Sequence, residues 1–210
     1  MSWLRFAGAA AALAFGLCTA FRPKTPLYYK IIFFGMASGF LGSCYEALAG
    51  FIEPSAAEGF HVGWLGHIGL FFFLYSSYYG AINSLADGGG KEFRAYRLAA
   101  GAGAALVCAV GLCGAWLGPG QPVLAAPFTF PAAMAAYFAG KLLIMPDVEL
   151  GITAAMRPFN ALVLLLCLVR VTEFCWDIGG AAGWTLAAVD ALLLAAALPA
   201  ARMGVRKWFI

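Results

Sequence analysis

Five ionisable side chains lie inside long apolar stretches of this 210-residue chain, where charged groups are rare. A charge in the hydrocarbon core of a membrane costs about 3 kcal/mol on insertion scales, so such residues usually face a bundle interior and serve a function. A histidine beside a carboxylate can pass a proton near neutral pH, and an arginine can hold an anionic group. We therefore predict a ligand or proton site formed by Glu46, His67, Arg170, Glu173 and Asp190.

Composition identifies the elements that must position these residues. The chain is 63% hydrophobic and only 11% charged, against about 25% charged in soluble domains. A spanning helix needs about 20 apolar residues, and seven stretches qualify: 3–21, 31–52, 61–83, 98–117, 122–144, 158–178 and 182–201. We predict an all-α fold, a polytopic transmembrane bundle of seven spans. No linker or low-complexity tract divides residues 1–210, so they form one membrane domain.

Basic residues are concentrated at every second connection between the predicted spans. Eleven of the thirteen Lys and Arg fall on one side, which the positive-inside rule makes cytoplasmic. The N-terminus is then outside and the C-terminus in the cytoplasm, with the cell membrane as the location and its lipid bilayer as a partner. Removal of the first stretch as a signal peptide would place these positive charges outside. The net charge of +3 is too small to indicate nucleic acid.

This topology places the five ionisable residues in one layer. With about 1.5 Å of rise per residue, all lie about 7 to 12 Å below the outer surface. Glu46 shares a helix face with several glycines, which let a neighbouring helix approach, so it should point into the bundle. Arg170 and Glu173 are three residues apart and can pair, either for function or only to hold helices together. Asp190 should be neutral or paired with Arg170.

The fifth span carries two prolines in its outer half. Prolines remove backbone donors and leave carbonyls unpaired, which membrane proteins tolerate in the interior or against a water-filled cavity. Interrupted helices often line the substrate sites of transporters. We expect this span to be interrupted and to form a cavity wall through Pro127, Thr129 and Pro131. A simple proline kink is the alternative.

Recognised catalytic and metal-binding motifs do not occur in the sequence. It has no HExxH, GxSxG or P-loop pattern, and its six cysteines form no CxxC, so we expect no metal and no cofactor. The string 24–27 (KTPL), with Gly69, Phe73 and Tyr79, resembles the integral-membrane lysoplasmalogenase family. That resemblance implies a lipid-cleaving enzyme. However, the family's Gly-Asp in the next helix reads Gly42-Ser43 and the family has eight spans, so no site residue is carried over.

Three function classes remain open. The leading hypothesis is a small-solute transporter or solute-binding membrane subunit, with a polar cavity in the outer half of the bilayer. There Arg170 would hold an anionic group, while Glu46 and His67 would carry protons or bind a cationic group. The second is an intramembrane enzyme in which His67 and an acid act on a lipid. The third is a sensory or assembly subunit that binds a partner or forms an oligomer through its glycine faces.

Overall fold

The described part of the chain is helical throughout its regular structure. A computed structural model describes residues 1–52, 61–79, 89–117, 122–147, 151–176 and 178–209. Within them there are no strands; a short 3-10 helix, Lys91–Phe93, precedes the fourth of seven α-helices. These are α1 (Ser2–Ala20), α2 (Leu27–Ile52), α3 (Gly63–Ser77), α4 (Arg94–Leu117), α5 (Pro122–Ile144), α6 (Ile152–Cys175) and α7 (Gly180–Phe209).

Six of the described helices are long and apolar enough to cross a membrane: α1, α2, α4, α5, α6 and α7. The prediction of an all-α bundle is confirmed for the described residues, and its apolar helices indicate a membrane-embedded protein. Helix α3 has 15 residues, and the predicted span 61–83 ends in residues outside those described. That 61–83 is a further span, which would bring the number to seven, stays a prediction. The orientation of the termini also stays a prediction.

Two expectations about helix continuity are wrong. Helix α5 runs through both Pro127 and Pro131, so the predicted interruption of the fifth span is absent. Neighbouring helices can satisfy the carbonyls that a proline frees, which lets a membrane helix continue through it. Helix α6 begins at Ile152, so Pro158 lies inside it and not at its start. Hydropathy finds the apolar centre of a span, whereas helical hydrogen bonding continues beyond that centre.

The main contacts between helices follow a closed ring. Helix α1 packs on α2 and α7, α2 on α3, α3 on α5, α5 on α6, and α6 on α7. Helix α4 lies outside this ring, against α5 and α6. Helices α1 and α7 run parallel, because Gly8 faces Ala191 near their starts while Arg202 donates to the carbonyl of Thr19 near the end of α1. The starts of α1, α3 and α7 and the ends of α2 and α6 therefore meet at one end of the bundle.

Glycines bring α2 and α3 into backbone contact at that end. A Cβ on Gly66 would lie 2.6 Å from the amide nitrogen of Gly42 and 2.7 Å from the carbonyl oxygen of Ser38. A Cβ on Gly42 would lie 2.9 Å from Cε1 of His67. These distances are shorter than van der Waals contact, so only glycine allows this separation of the helices. The close approach brings Glu46 of α2 beside His67 of α3.

Candidate functional site: a buried charge network

Four of the five predicted site residues form one chain of contacts. Glu46 Oε1 lies 3.0 Å from His67 Nε2. The other ring nitrogen of His67, Nδ1, lies 2.9 Å from Nη1 of Arg170. Arg170 then donates from Nε to Asp190 Oδ1 at 2.7 Å. Helices α2, α3, α6 and α7 are joined in this order by their charged or polar side chains. A role for these residues as a ligand or proton site stays a prediction.

Arg5 of α1 joins the fifth residue to the others. Its Nη1 lies 3.4 Å from Glu46 Oε2, and its Nε lies 3.4 Å from Glu173 Oε1. The sequence argument did not include Arg5, which lies two residues after the start of the first predicted span, only about 3 Å along the helix and so outside the predicted layer. We use the term charge network for the six residues together: Arg5, Glu46, His67, Arg170, Glu173 and Asp190.

The pairing within the charge network resolves the alternatives for its acidic groups. Among the described residues, Arg170 forms its hydrogen bonds with His67 and Asp190, on other helices, and not with Glu173 three residues away. Asp190 is thus the direct partner of Arg170, one of the two outcomes expected for it. Glu173 has its closest ion-pair contact with Arg5 instead. Helical spacing placed Arg170 and Glu173 on one face but could not identify their partners on other helices.

Burial increases from one side of the charge network to the other. The side chain of Arg5 is 16% exposed and that of Glu46 is 8% exposed, whereas those of His67, Arg170 and Asp190 are fully buried. Removing two charges from water is costly unless each is hydrogen-bonded and paired. The Arg170–Asp190 pair therefore depends on its short contact, and the Arg5 side is the nearer to the surface of the bundle.

The contact with Arg170 determines the protonation of His67. A guanidinium can only donate hydrogen bonds, so Nδ1 of His67 must accept with its lone pair. The remaining ring proton is then on Nε2, which donates to the Glu46 carboxylate. His67 is therefore a neutral bridge between a cation and an anion. It cannot be an imidazolium while Arg170 keeps this contact.

Several polar atoms of the charge network are buried without a hydrogen-bond partner among the described residues. Buried side-chain donors and acceptors are usually paired, so such atoms call for an explanation. Nε of Arg5 and Oε1 of Glu173 lie 3.4 Å apart as an ion pair, but the two atoms do not form a hydrogen bond. Two of the atoms are donors and three are acceptors: Arg5 Nε, Arg170 Nη2, Glu173 Oε1, Glu173 Oε2 and Asp190 Oδ2. The set could bind a small molecule that both accepts and donates hydrogen bonds.

Phe174 lies beside both guanidinium groups. The Cζ atoms of Arg5 and Arg170 lie 5.4 Å and 5.6 Å from the centre of its ring. Both distances are in the range of cation–π attraction. The ring also lies 4.9 Å from the centres of His67 and Phe128. Sequence reasoning missed Phe174, although its position four residues after Arg170 on α6 places the two side chains on one face.

The predicted wall on α5 lies beside this aromatic group. Thr129 is buried, and its hydroxyl lies 3.8 Å from Sγ of Cys175. Pro131 is buried and Pro127 is exposed. Phe128 of α5 contacts the ring of Phe174 beside the charge network. A cavity-wall role for the two prolines and Thr129 stays a prediction.

Neither metal geometry nor similarity to known proteins adds a function. Within the described ranges, no group of three His, Cys, Asp or Glu side chains could hold a metal ion. Comparisons with protein-family models, with curated proteins and with solved structures find no match. The function must therefore be argued from the geometry of the charge network.

Proposed function

We propose that this chain is a multi-pass membrane protein that binds a small polar solute at the charge network and moves it across the membrane. It would act as a transporter or as the solute-binding subunit of one. The observation that carries the proposal is the set of five buried polar atoms that lack a hydrogen-bond partner in the described part of the chain. A network that served only to tie helices together would gain most by satisfying its own donors and acceptors.

The unpaired atoms indicate the chemistry of the solute. Nε of Arg5 and Nη2 of Arg170 can donate to a carboxylate, carbonyl or hydroxyl oxygen. The oxygens of Glu173 and Oδ2 of Asp190 can accept from an ammonium or hydroxyl group. A small solute with both kinds of group fits this arrangement. Its entry would be on the side of Arg5, which is the most exposed side chain of the network.

The enzymatic alternative has less support from the contacts of His67. Both of its ring nitrogens are engaged, one with Arg170 and one with Glu46. A general base must reach the proton that it removes from a substrate. His67 would have to break one of these contacts before it could act on a lipid. The assembly alternative would leave the unpaired atoms of the charge network without a purpose.

Uptake into liposomes reconstituted with the full chain tests the proposal. The probes are three radiolabelled molecules of similar size: glycine with both charges, ethanolamine with a positive charge and glycolate with a negative charge. We expect at least one probe to enter faster than into protein-free liposomes. Arg170→Gln should abolish that uptake, because it removes the central cation of the charge network. Arg94→Gln changes an exposed arginine at the start of α4 and should leave uptake intact.

A second measurement covers binding without transport. A ligand that binds the folded state at one hundred times its dissociation constant stabilises it by about 2.7 kcal/mol. A probe that is bound should therefore raise the unfolding temperature of the detergent-solubilised protein, and Arg170→Gln should remove the shift. If no probe is transported and none raises the unfolding temperature, a small polar solute is the wrong class.

A further inference from the structure

The charge network has one more negative than positive charge when all of its carboxyl groups are ionised. His67 contributes no charge, because it accepts a hydrogen bond from Arg170. The two guanidinium groups then face three carboxylates: those of Glu46, Glu173 and Asp190. A buried charge without compensation is strongly disfavoured, and such groups take up a proton instead. The network therefore needs one more positive charge.

Hydrogen bonding distinguishes the three carboxyl groups. Glu46 faces a donor at each oxygen, His67 at 3.0 Å and Arg5 at 3.4 Å. Asp190 accepts from Arg170 at 2.7 Å. Hydrogen bonds to a carboxylate favour its ionised form. Neither oxygen of Glu173 has a hydrogen bond within the described residues, although its side chain is only 3% exposed. Glu173 is the carboxyl group whose ionised form is the least supported.

We propose that Glu173 binds the one exchangeable proton of the charge network and that a cationic solute group competes with this proton. The inference rests on the proposed function and names its coupling ion. With the proton bound, the network is neutral. On release, the O–H bond of the Glu173 carboxylic acid breaks and the proton passes to water on the side of Arg5. The remaining carboxylate restores the negative charge that an ammonium group of the solute can neutralise.

Every helix packed near Glu173 enters this charge balance. Helix α1 supplies Arg5, α7 supplies Asp190, and α6 itself supplies Arg170, all of which interact electrostatically with Glu173. Helices α2 and α3 add Glu46 and His67 through their contacts with the two arginines. Helix α5 adds the apolar ring of Phe128 beside Phe174. The charged residues of α4 lie near its start, away from this end of the bundle.

Infrared spectroscopy of the reconstituted full chain tests the assignment, because a protonated carboxyl group absorbs apart from carboxylates. We expect the wild type to show a protonated-carboxyl band at neutral pH that shifts in D2O and disappears as the pH is raised. Glu173→Gln should remove the band. Glu92→Gln is the matched control, since Glu92 is an exposed glutamate beside α4, and it should keep the band.

Three results would overturn the assignment. The first is a wild type without the band, and the second is a band that persists in Glu173→Gln. The third is loss of the wild-type band when sodium is added at constant pH, because that would mean that the site binds a metal cation. Should Glu173→Gln fail to fold, Glu173→Asp keeps a titrating carboxyl group and must shift the midpoint of the band.

The competition with a solute is tested separately with ethanolamine. Because one proton and one cation exclude each other, the apparent affinity should fall about tenfold for each pH unit below the midpoint of the band. Glu173→Gln should remove this dependence, and Glu92→Gln should keep it. An affinity that is independent of pH in the wild type would contradict the competition. If the band is assigned to Glu173 but no probe is taken up and none raises the unfolding temperature, the proton site stands and only the proposed function is refuted.

Discussion

Arg170 donates from Nη1 to Nδ1 of His67 at 2.9 Å, and this contact makes His67 a neutral bridge between helices. The guanidinium has no lone pair to offer, so Nδ1 cannot carry a proton. The opposite ring nitrogen faces Glu46 at 3.0 Å and carries the proton. An exposed histidine changes charge between pH 5 and 8, whereas this one gains a second proton only if it loses Arg170. The pairing thus shifts the search for a titrating group from His67 to the carboxyl groups.

We expect the nitrogen chemical shifts of His67 to show a neutral ring with its proton on Nε2 from about pH 5 to pH 8. The measurement is NMR of protein labelled with ¹⁵N-histidine, and it is simple because the chain has two histidines. His61→Gln leaves a single signal and so assigns His67. As the control, Arg170→Gln frees Nδ1 and should let the ring titrate. An imidazolium signal from the wild type at neutral pH would contradict the hydrogen bond from Arg170.

Removing one partner of the Arg170–Asp190 pair should be more damaging than removing both. Both side chains are fully buried and lie 2.7 Å apart. Breaking a buried ion pair costs about 3–5 kcal/mol, while apolar residues of similar size in both positions are often neutral or stabilising. We expect Arg170→Met or Asp190→Leu alone to lower the free energy of unfolding by about this amount, and the double variant to recover most of the loss.

Chemical unfolding of the four proteins in detergent gives the coupling energy as a double-mutant cycle. Arg22→Met is the control, because Arg22 is exposed, lies just after α1 and donates to the carbonyl of Cys18 four residues earlier; its effect should stay within about 0.5 kcal/mol. Additive losses in the double variant would mean that Arg170 and Asp190 do not stabilise each other.

The sequence predicted the helices and one layer of charged groups, but only part of their pairing. Hydropathy located Glu46, His67, Arg170, Glu173 and Asp190 in helices, and their similar depth indicated that they could meet. In the structure, four of them form one chain of contacts. Depth and helical phase follow from the regular geometry of one helix. Which residues meet across the bundle depends on the rotation and separation of neighbouring helices, which a single sequence does not give.

The glycines that share one face of α2 show where helical spacing predicts a helix contact and where it does not. Gly35, Gly39 and Gly42 face α3 at distances that a Cβ would crowd, as the pattern indicated. Gly50 belongs to the same pattern but has nothing within 4 Å of its would-be Cβ. The pattern continues along the helix after the neighbouring helix has ended. Arg5 was missed because it is a single charged residue near a terminus and forms no spacing pattern that would assign it to a helix face.

The close approach of α2 and α3 should be sensitive to one methyl group. Gly66→Ala places a Cβ 2.6 Å from the amide nitrogen of Gly42, so the two helices must separate. Overpacking of this kind costs about 1–3 kcal/mol, and it should lengthen the contact between Glu46 and His67. We expect a lower unfolding free energy and, if the proposed function is right, slower solute uptake.

Gly101→Ala on α4 is the matched control, because nothing lies within 4 Å of the added methyl group. Alanine favours a helix over glycine by about 0.5–1 kcal/mol, so this variant should be neutral or slightly more stable. Equal losses in the two variants would show that the cost of Gly66→Ala does not come from contact with α2.

A second buried polar contact, between α3 and α6, gives a prediction that is independent of the charge network. Tyr78 caps the end of α3, eleven residues after His67, which places it about 16 Å farther along the helix direction. Its hydroxyl donates to Oδ1 of Asn160 at 2.9 Å, and both side chains are fully buried. Within the described residues, Nδ2 of Asn160 has no partner. In the described part of the chain, the side-chain amide of Asn160 is therefore held by the hydrogen bond from Tyr78.

Tyr78→Phe should lower the unfolding free energy by about 1–3 kcal/mol, because it leaves the buried carbonyl of Asn160 unpaired. The phenylalanine ring can keep the packing against Phe138 and Phe159. Adding Asn160→Leu should recover much of the loss, since a pair of apolar residues needs no hydrogen bond. Tyr79→Phe is the control, at a ring that is 62% exposed. If Tyr78→Phe and Tyr79→Phe unfold at the same denaturant concentration, the bond to Asn160 contributes nothing to stability.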